Sequence, residues 1–207
     1  MRLPPLYAIV DPLDTGRDPV ELARALLAGG ARLLQLRLKG ATSREAHAAA
    51  RHVAPLARAA GALFLVNDRP DIARAVDADG AHLGQDDVPV SAARRVLGPD
   101  STIGVSTHDL DEARAAEAAG ADYIGVGPIY ATGSKSNPLA PRGLELLRAV
   151  RAAVRCPIVA IGGITPATAP AVRAAGADAV AMIAALVRAP DPREAVTRTL
   201  DLLRVQT

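Results

Sequence analysis

The chain contains no tryptophan, one phenylalanine and three tyrosines, so aromatic residues make up 2% of its 207 positions. Proteins that track single-stranded nucleic acid stack the bases on aromatic rings set along a basic groove, and this chain has too few rings for that. Its charge agrees. There are 24 Lys and Arg against 22 Asp and Glu, a net charge of +2. The sequence pI is about 9.0, but the basic residues are scattered among acids and form no polyanion-binding stripe. A single cysteine, Cys156, excludes an internal disulfide framework. It stands before Pro157 at the head of an apolar run and is expected to be a buried, inert thiol. No stretch reaches the roughly 18 apolar residues of a membrane span, and the N-terminus shows no signal-peptide pattern. The expected setting is the cytoplasm, with neither a membrane nor a nucleic acid as partner. A homo-oligomer is left open.

Half of the residues are hydrophobic and 22% are charged, enough for one sizeable packed domain over residues 1–207. Eight short apolar runs recur along the chain: Leu6–Val10, Leu33–Arg37, Leu63–Val66, Ala81–Leu83, Thr102–Val105, Tyr123–Val126, Ile158–Ile161 and Ala179–Ile183. Segments with helical spacing lie between them, such as Pro19–Ala28, Ser43–Ala60, Leu110–Ala119 and Thr168–Ala175. Strand–helix alternation of this kind predicts parallel strands and an α/β fold. A Gly-Ala pair precedes five of the strands, beginning at Gly30, Gly61, Gly80, Gly120 and Gly176, where glycine is suited to end a helix in the left-handed conformation. Asp18, Asp109 and Thr165 stand where helix caps are needed. Pro55 falls inside the second helical pattern and should kink or split it. Eight units predict a single (β/α)8 TIM barrel at the small end of its size range. An open doubly wound sheet would show a glycine-rich fingerprint after its first strand, where Asp11-Pro12-Leu13-Asp14 stands instead.

A TIM barrel carries its active site at the carboxyl ends of its strands, and polar residues gather there. Gln35, Arg37 and Lys39 alternate with leucines at the end of the second strand and so share one face. They suit an anionic substrate, although an Arg–carboxylate structural pair is an alternative for Arg37. The third strand ends Asn67-Asp68-Arg69 and the fourth leads through His82 to Asp87. Carboxylates on adjacent strand ends can share one hard cation with substrate phosphates, which suits Mg2+. The alternatives are Asp68 as a helix cap and His82 as a core histidine. Ser106 ends the fifth strand. Thr132, Gly133, Ser134 and Lys135 follow the sixth in a loop that runs from Ala131 to Arg142 and resembles a phosphate grip without being a Walker loop. Gly162 and Gly163 follow the seventh strand and Ile183-Ala184 the eighth, the usual phosphate site of this fold. A tight turn with no anion would also require those glycines. The pattern therefore predicts a phosphate site near strands six to eight and a second anion site, with metal, near strands two to four.

Several of these segments together resemble the thiamine phosphate synthase family: Gln35-Leu36-Arg37-x-Lys39, Asn67-Asp68-Arg69-x-Asp71-Ile72-Ala73, His82-Leu83-Gly84-Gln85-x-Asp87, Gly104 to His108, Asp122 to Tyr130 and Ala160 to Ile164. The resemblance implies an enzyme that joins hydroxymethylpyrimidine pyrophosphate to thiazole phosphate by dissociative substitution, releasing pyrophosphate. It implies Mg2+ on Asp68 and Asp87, and a pyrophosphate grip formed by Arg37, Lys39, Asn67, Ser106 and Lys135. Gln35 and His82 would line the pyrimidine pocket. Thr132, Ser134, Gly163, Ile183 and Ala184 would hold the thiazole phosphate, the last three largely through backbone amides. Arg37, Lys39, Ser106 and Lys135 would be the catalytic groups. The family usually carries glutamate at Leu38, threonine at Ser134 and serine at Ala184. The related thiazole tautomerase shares the barrel but lacks the aspartate pair and has histidine at Pro128, so Asp68, Asp87 and Pro128 favour the synthase. A non-catalytic phosphate-binding barrel would have no reason to keep Arg37, Lys39, Asp68 and Asp87 together. A Schiff-base aldolase would have to use Lys39 or Lys135, the only lysines in the chain, and both fit phosphate duty better.

Overall fold

The computed structural model describes residues 2–12, 15–133 and 140–204. Its strands are β1 (Leu6–Val10), β2 (Leu33–Leu36), β3 (Leu63–Asn67), β4 (Gly80–Leu83), β5 (Thr102–Thr107), β6 (Tyr123–Val126), β7 (Ile158–Ala160) and β8 (Ala179–Met182). Each is parallel to the next and β8 returns to β1, so the sheet closes as a barrel in sequence order. The described helices are α1 (Pro19–Ala28), α2 (Ser43–Ala59), α3 (Pro70–Ala75), α4 (Val90–Leu97), α5 (Leu110–Ala118), α6 (Gly143–Ala153), α7 (Ala169–Ala174), α8 (Ala184–Val187) and α9 (Pro192–Arg204). The chain therefore forms the expected single (β/α)8 barrel. Among the described residues no helix is long and apolar enough to cross a membrane.

The strands are buried along nearly their whole length, as parallel strands covered by helices on the outside must be. Helix starts follow their caps. The Asp18 carboxylate accepts the N–H groups of Val20 and Glu21, and Thr42 and Glu45 form a reciprocal capping box on α2. Asp109 accepts from Glu112 at the start of α5. Thr165 differs from expectation: it forms a turn with Thr168, and α7 begins at Ala169 without a side-chain cap.

Pro55 does not break α2, which runs through it. The residue lies on the exposed face, so the carbonyl that loses its partner there can be hydrated. Four of the five Gly-Ala glycines have positive φ, between 63° at Gly61 and 111° at Gly176. Gly80 is the exception. It belongs to β4, and a Cβ on it would meet the Thr102 carbonyl oxygen at 1.8 Å, so close strand packing requires glycine there. Cys156 is half-buried rather than buried; burial first, and the Glu117 charge second, push its thiol up to about 11, which keeps it in the inert state.

Candidate active site

Burying tyrosine without leaving its hydroxyl unpaired requires a polar partner inside the barrel. Tyr7 on β1 and Tyr123 on β6 meet that need together. Their hydroxyls lie 3.0 Å apart, with the rings edge to face at 6.0 Å between centroids. The Gln35 amide nitrogen donates to the Tyr7 hydroxyl at 2.7 Å. On the other side His82 Nδ1 lies 2.8 Å from the Tyr123 hydroxyl, and His82 Nε2 lies 2.9 Å from Ser106 Oγ. A continuous polar chain thus crosses the barrel from β2 to β5. Burial pushes both phenols well above their ordinary range, so each remains a neutral hydroxyl. Glycines make room for the rings: a Cβ on Gly104 would fall 2.0 Å from Tyr123 Cζ, and one on Gly125 would fall 3.2 Å from His82 Cε1.

Ser106 also lines a cavity of about 340 Å3 at the carboxyl ends of β5 to β8, with Thr132, Gly163, Ile183, Ala184 and Arg188 among its walls. Gly162 and Gly163 have φ of 104° and 61°. A Cβ on Gly163 would meet the Ala131 carbonyl oxygen at 2.4 Å, so turn sterics alone already demand glycine there. The backbone turns from β8 into α8 at Ile183, whose carbonyl accepts the N–H groups of Leu186 and Val187, so Ala184 and Ala185 supply the backbone donors at the cavity wall. Backbone donors, the Thr132 hydroxyl and a cation thus face one space. Ser134 and Lys135, expected beside it, lie outside the described residues.

On the opposite side of the mouth, Lys39, Asn67 and Asp68 line a smaller cleft of about 170 Å3. The Lys39 ammonium pairs with the Asp68 carboxylate. Asp68 does not cap α3, which starts after Arg69 with no side-chain cap; its φ of 62° instead turns the chain at the strand end. The Asp87 carboxylate accepts the Gly84 N–H at 2.6 Å. Its burial, and the charge and hydrogen bonding of neighbouring Asp68, push its carboxyl above the usual range. Two neighbouring carboxylates of this kind are a donor set that a hard divalent cation fits. Among the described residues no cluster of three or more His, Cys, Asp or Glu is arranged to hold a metal. Arg37 adopts the alternative read from the sequence: its guanidinium pairs with Asp11, and both side chains are nearly buried.

The structure thus gathers Ser106, Thr132, Gly163, Ile183 and Ala184 around one space, and Lys39, Asn67 and Asp68 around another, with Asp87 beside Asp68. Gln35 and His82 lie on the polar chain that leads to the first. Tyr7, Tyr123, Asp11 and Arg188 were not anticipated. The tyrosines carried a readable signal, since two of only three in the chain occupy predicted strands.

Fold and site together define a (β/α)8-barrel enzyme whose polar residues gather in two places at one mouth. The comparisons make this specific. A family described as thiamine monophosphate synthase matches residues 6–186. The thiamine-phosphate synthase of Moorella thermoacetica is 52% identical over 199 residues, covering 96% of this chain and 95% of its own. That of Anaeromyxobacter dehalogenans is 50% identical over 197 residues, covering 95% and 86%. The solved thiamine phosphate pyrophosphorylase from Pyrococcus furiosus superposes with a TM-score of 0.89 at 39% identity, covering 97% of this chain and 96% of that one. The chain belongs to the thiamine monophosphate synthase family, whose members are transferases.

Proposed function

We propose that the chain joins hydroxymethylpyrimidine pyrophosphate to thiazole phosphate, giving thiamine phosphate and pyrophosphate. The observation that supports this most directly is the pairing, at one barrel mouth, of an anion-ready cavity at β6 to β8 with the Lys39–Asp68–Asp87 cluster at β2 to β4. Two phosphorylated substrates need two such places.

In the reaction the bond from the exocyclic carbon of the pyrimidine to the pyrophosphate oxygen breaks, and its electron pair leaves with pyrophosphate. The thiazole nitrogen then gives its lone pair to the same carbon. No general base is required, only stabilisation of the leaving charge and two substrates held in line. Lys39, Asn67, Ser106 and Arg37 are assigned to the pyrophosphate, with Lys135 from the loop after β6. The Arg37–Asp11 pair orients a guanidinium that has five N–H donors, so donors remain for a substrate. Gln35 and His82 face the pyrimidine. Thr132, Ser134 and the backbone at Gly163, Ile183 and Ala184 hold the thiazole phosphate, and Arg188 adds a cation to the same wall. Asp68 and Asp87 are assigned to Mg2+, which when bound would offset charge on the departing pyrophosphate.

Purified protein incubated with both substrates and Mg2+ is expected to form thiamine phosphate and pyrophosphate in equal amounts, and chelation should stop it. Folded protein that binds thiazole phosphate yet forms no product would overturn the reading in favour of a tautomerase or a non-catalytic barrel.

A further inference from the structure

The chemistry above uses Gln35, His82 and Ser106 but gives no role to the two buried hydroxyls between them. Tyr7 and Tyr123 are 1% and 0% exposed, so their protons have to be used within the chain. Each hydroxyl has one proton to donate. The Gln35 amide nitrogen can only donate, and it lies 2.7 Å from the Tyr7 oxygen. Tyr7 accepts there and turns its own proton to Tyr123 at 3.0 Å. Tyr123 then directs its proton to His82 Nδ1 at 2.8 Å. A ring nitrogen that accepts at Nδ1 carries the imidazole proton on Nε2, which donates to Ser106 Oγ at 2.9 Å. Ser106 thereby receives a hydrogen bond and retains its proton for the cavity it lines.

We infer that Tyr7 and Tyr123 are positioning residues in a one-way hydrogen-bond relay. The relay starts at the Gln35 amide, fixes His82 as the neutral Nε2–H tautomer and aims the Ser106 hydroxyl as a donor at the departing pyrophosphate. The last part rests on the synthase reading; the direction of the relay does not. The opposite direction is a distinct state. With the amide turned, Gln35 accepts, every proton reverses, His82 carries its proton on Nδ1, and Ser106 spends its hydroxyl proton on Nε2. A serine in that state meets an anion with lone pairs rather than a donor, which opposes leaving-group stabilisation. Ring stacking of His82 on Tyr123, at 5.6 Å and 24°, and the space left by Gly104 and Gly125 hold the two rings in register for either direction. The amide end decides which one forms.

The tautomer of His82 reads the direction without turnover. Long-range 1H–15N NMR of the free protein, with His82 assigned by comparison with His82→Gln, is expected to show a protonated Nε2 and a bare Nδ1. Gln35→Glu replaces a donor with an acceptor-only carboxylate. At about pH 10, above the roughly 8–9 to which burial raises a glutamate, it should move the proton to Nδ1. A wild-type Nδ1–H tautomer overturns the relay outright, and the wild-type spectrum decides this even if Gln35→Glu does not fold. An unchanged tautomer in folded Gln35→Glu overturns Gln35 as the source of direction. Ser106→Ala should weaken pyrophosphate binding about tenfold, the scale of one hydrogen bond to a charged group; unchanged binding overturns the donor role. An Nε2–H His82 in a protein with no synthase activity would leave the relay standing and remove only the reading of its purpose.

Discussion

Gly104 shows how one missing side chain sets the site. The Tyr123 ring fills the place where its Cβ would stand, 2.0 Å from Cζ, and Tyr123 is pinned by hydrogen bonds to Tyr7 and His82. Gly104→Ala has no neighbouring space to use, so it should destabilise the fold by about 1–3 kcal/mol, the usual range for overpacking. Urea unfolding measures this, and an unchanged midpoint would mean that the ring moves freely. Activity should fall further than stability alone accounts for, because displacing Tyr123 displaces His82. At this scale the sequence was informative where parity and chemistry coincide. Gln35 could be placed at the barrel mouth by strand alternation, and Ser106 and His82 by their positions at strand ends, although His82 also read as a core histidine. The link between them was not legible, because Tyr7 and Tyr123 are far apart in the chain and read individually as ordinary strand aromatics. For Arg37 the residues left two readings open, and only the approach of Asp11 from the loop after β1 decides for the ion pair.

Among the elements, the Gly-Ala repeat carries more than helix endings. After two of those pairs, and just before a third, stands an aspartate whose carboxylate accepts an N–H near the start of the preceding strand: Asp79 from Phe64 at 2.7 Å, Asp122 from Ile103 at 2.7 Å and Asp178 from Ile158 at 2.8 Å. Each backbone N–H also returns the contact, Asp79 to Phe64, Asp122 to Ile103 and Asp178 to Ile158. These clamps join neighbouring strands at the end of the barrel opposite the active site. Arg94 and Arg151 hold the Asp122 and Asp178 carboxylates in place. Asp122→Ala removes a charged acceptor from a strand N–H and leaves Arg94 with backbone carbonyls but no carboxylate partner. It should lower stability by about 1.5–3 kcal/mol while leaving KM for both substrates near wild type, measured by chemical denaturation and steady-state kinetics. The glycines were legible because helix termination is local. The aspartate clamps were not, because their partners lie 15 to 20 residues away across a strand pair. Strand ends were blurred for a similar reason: ladder pairing, not apolarity, carries β5 on to Thr107 and stops β2 at Leu36.

For the whole molecule, the decisive feature of the proposed assignment is that its two anion places stand on different strands and share no lining residue. The cavity at β5 to β8 is built from glycine turns, the start of α8 and Arg188, none of which lines the cleft that holds Asp68. The carboxylate cluster stands at β3 and β4 with Lys39 from the end of β2. A barrel closed in sequence order holds both at fixed separation, so loss of one should not reshape the other. Asp68→Ala or Asp87→Ala should therefore reduce Mg2+-dependent turnover by at least about a hundredfold, with thiazole phosphate affinity close to wild type by calorimetry. Arg188→Ala should do the converse: a higher KM for thiazole phosphate by about tenfold, as for the loss of one charged contact, with Mg2+ dependence unchanged. If the aspartate variants lose thiazole phosphate binding as fully as they lose turnover, the two places are one site, and the assignment of a separate substrate to each fails.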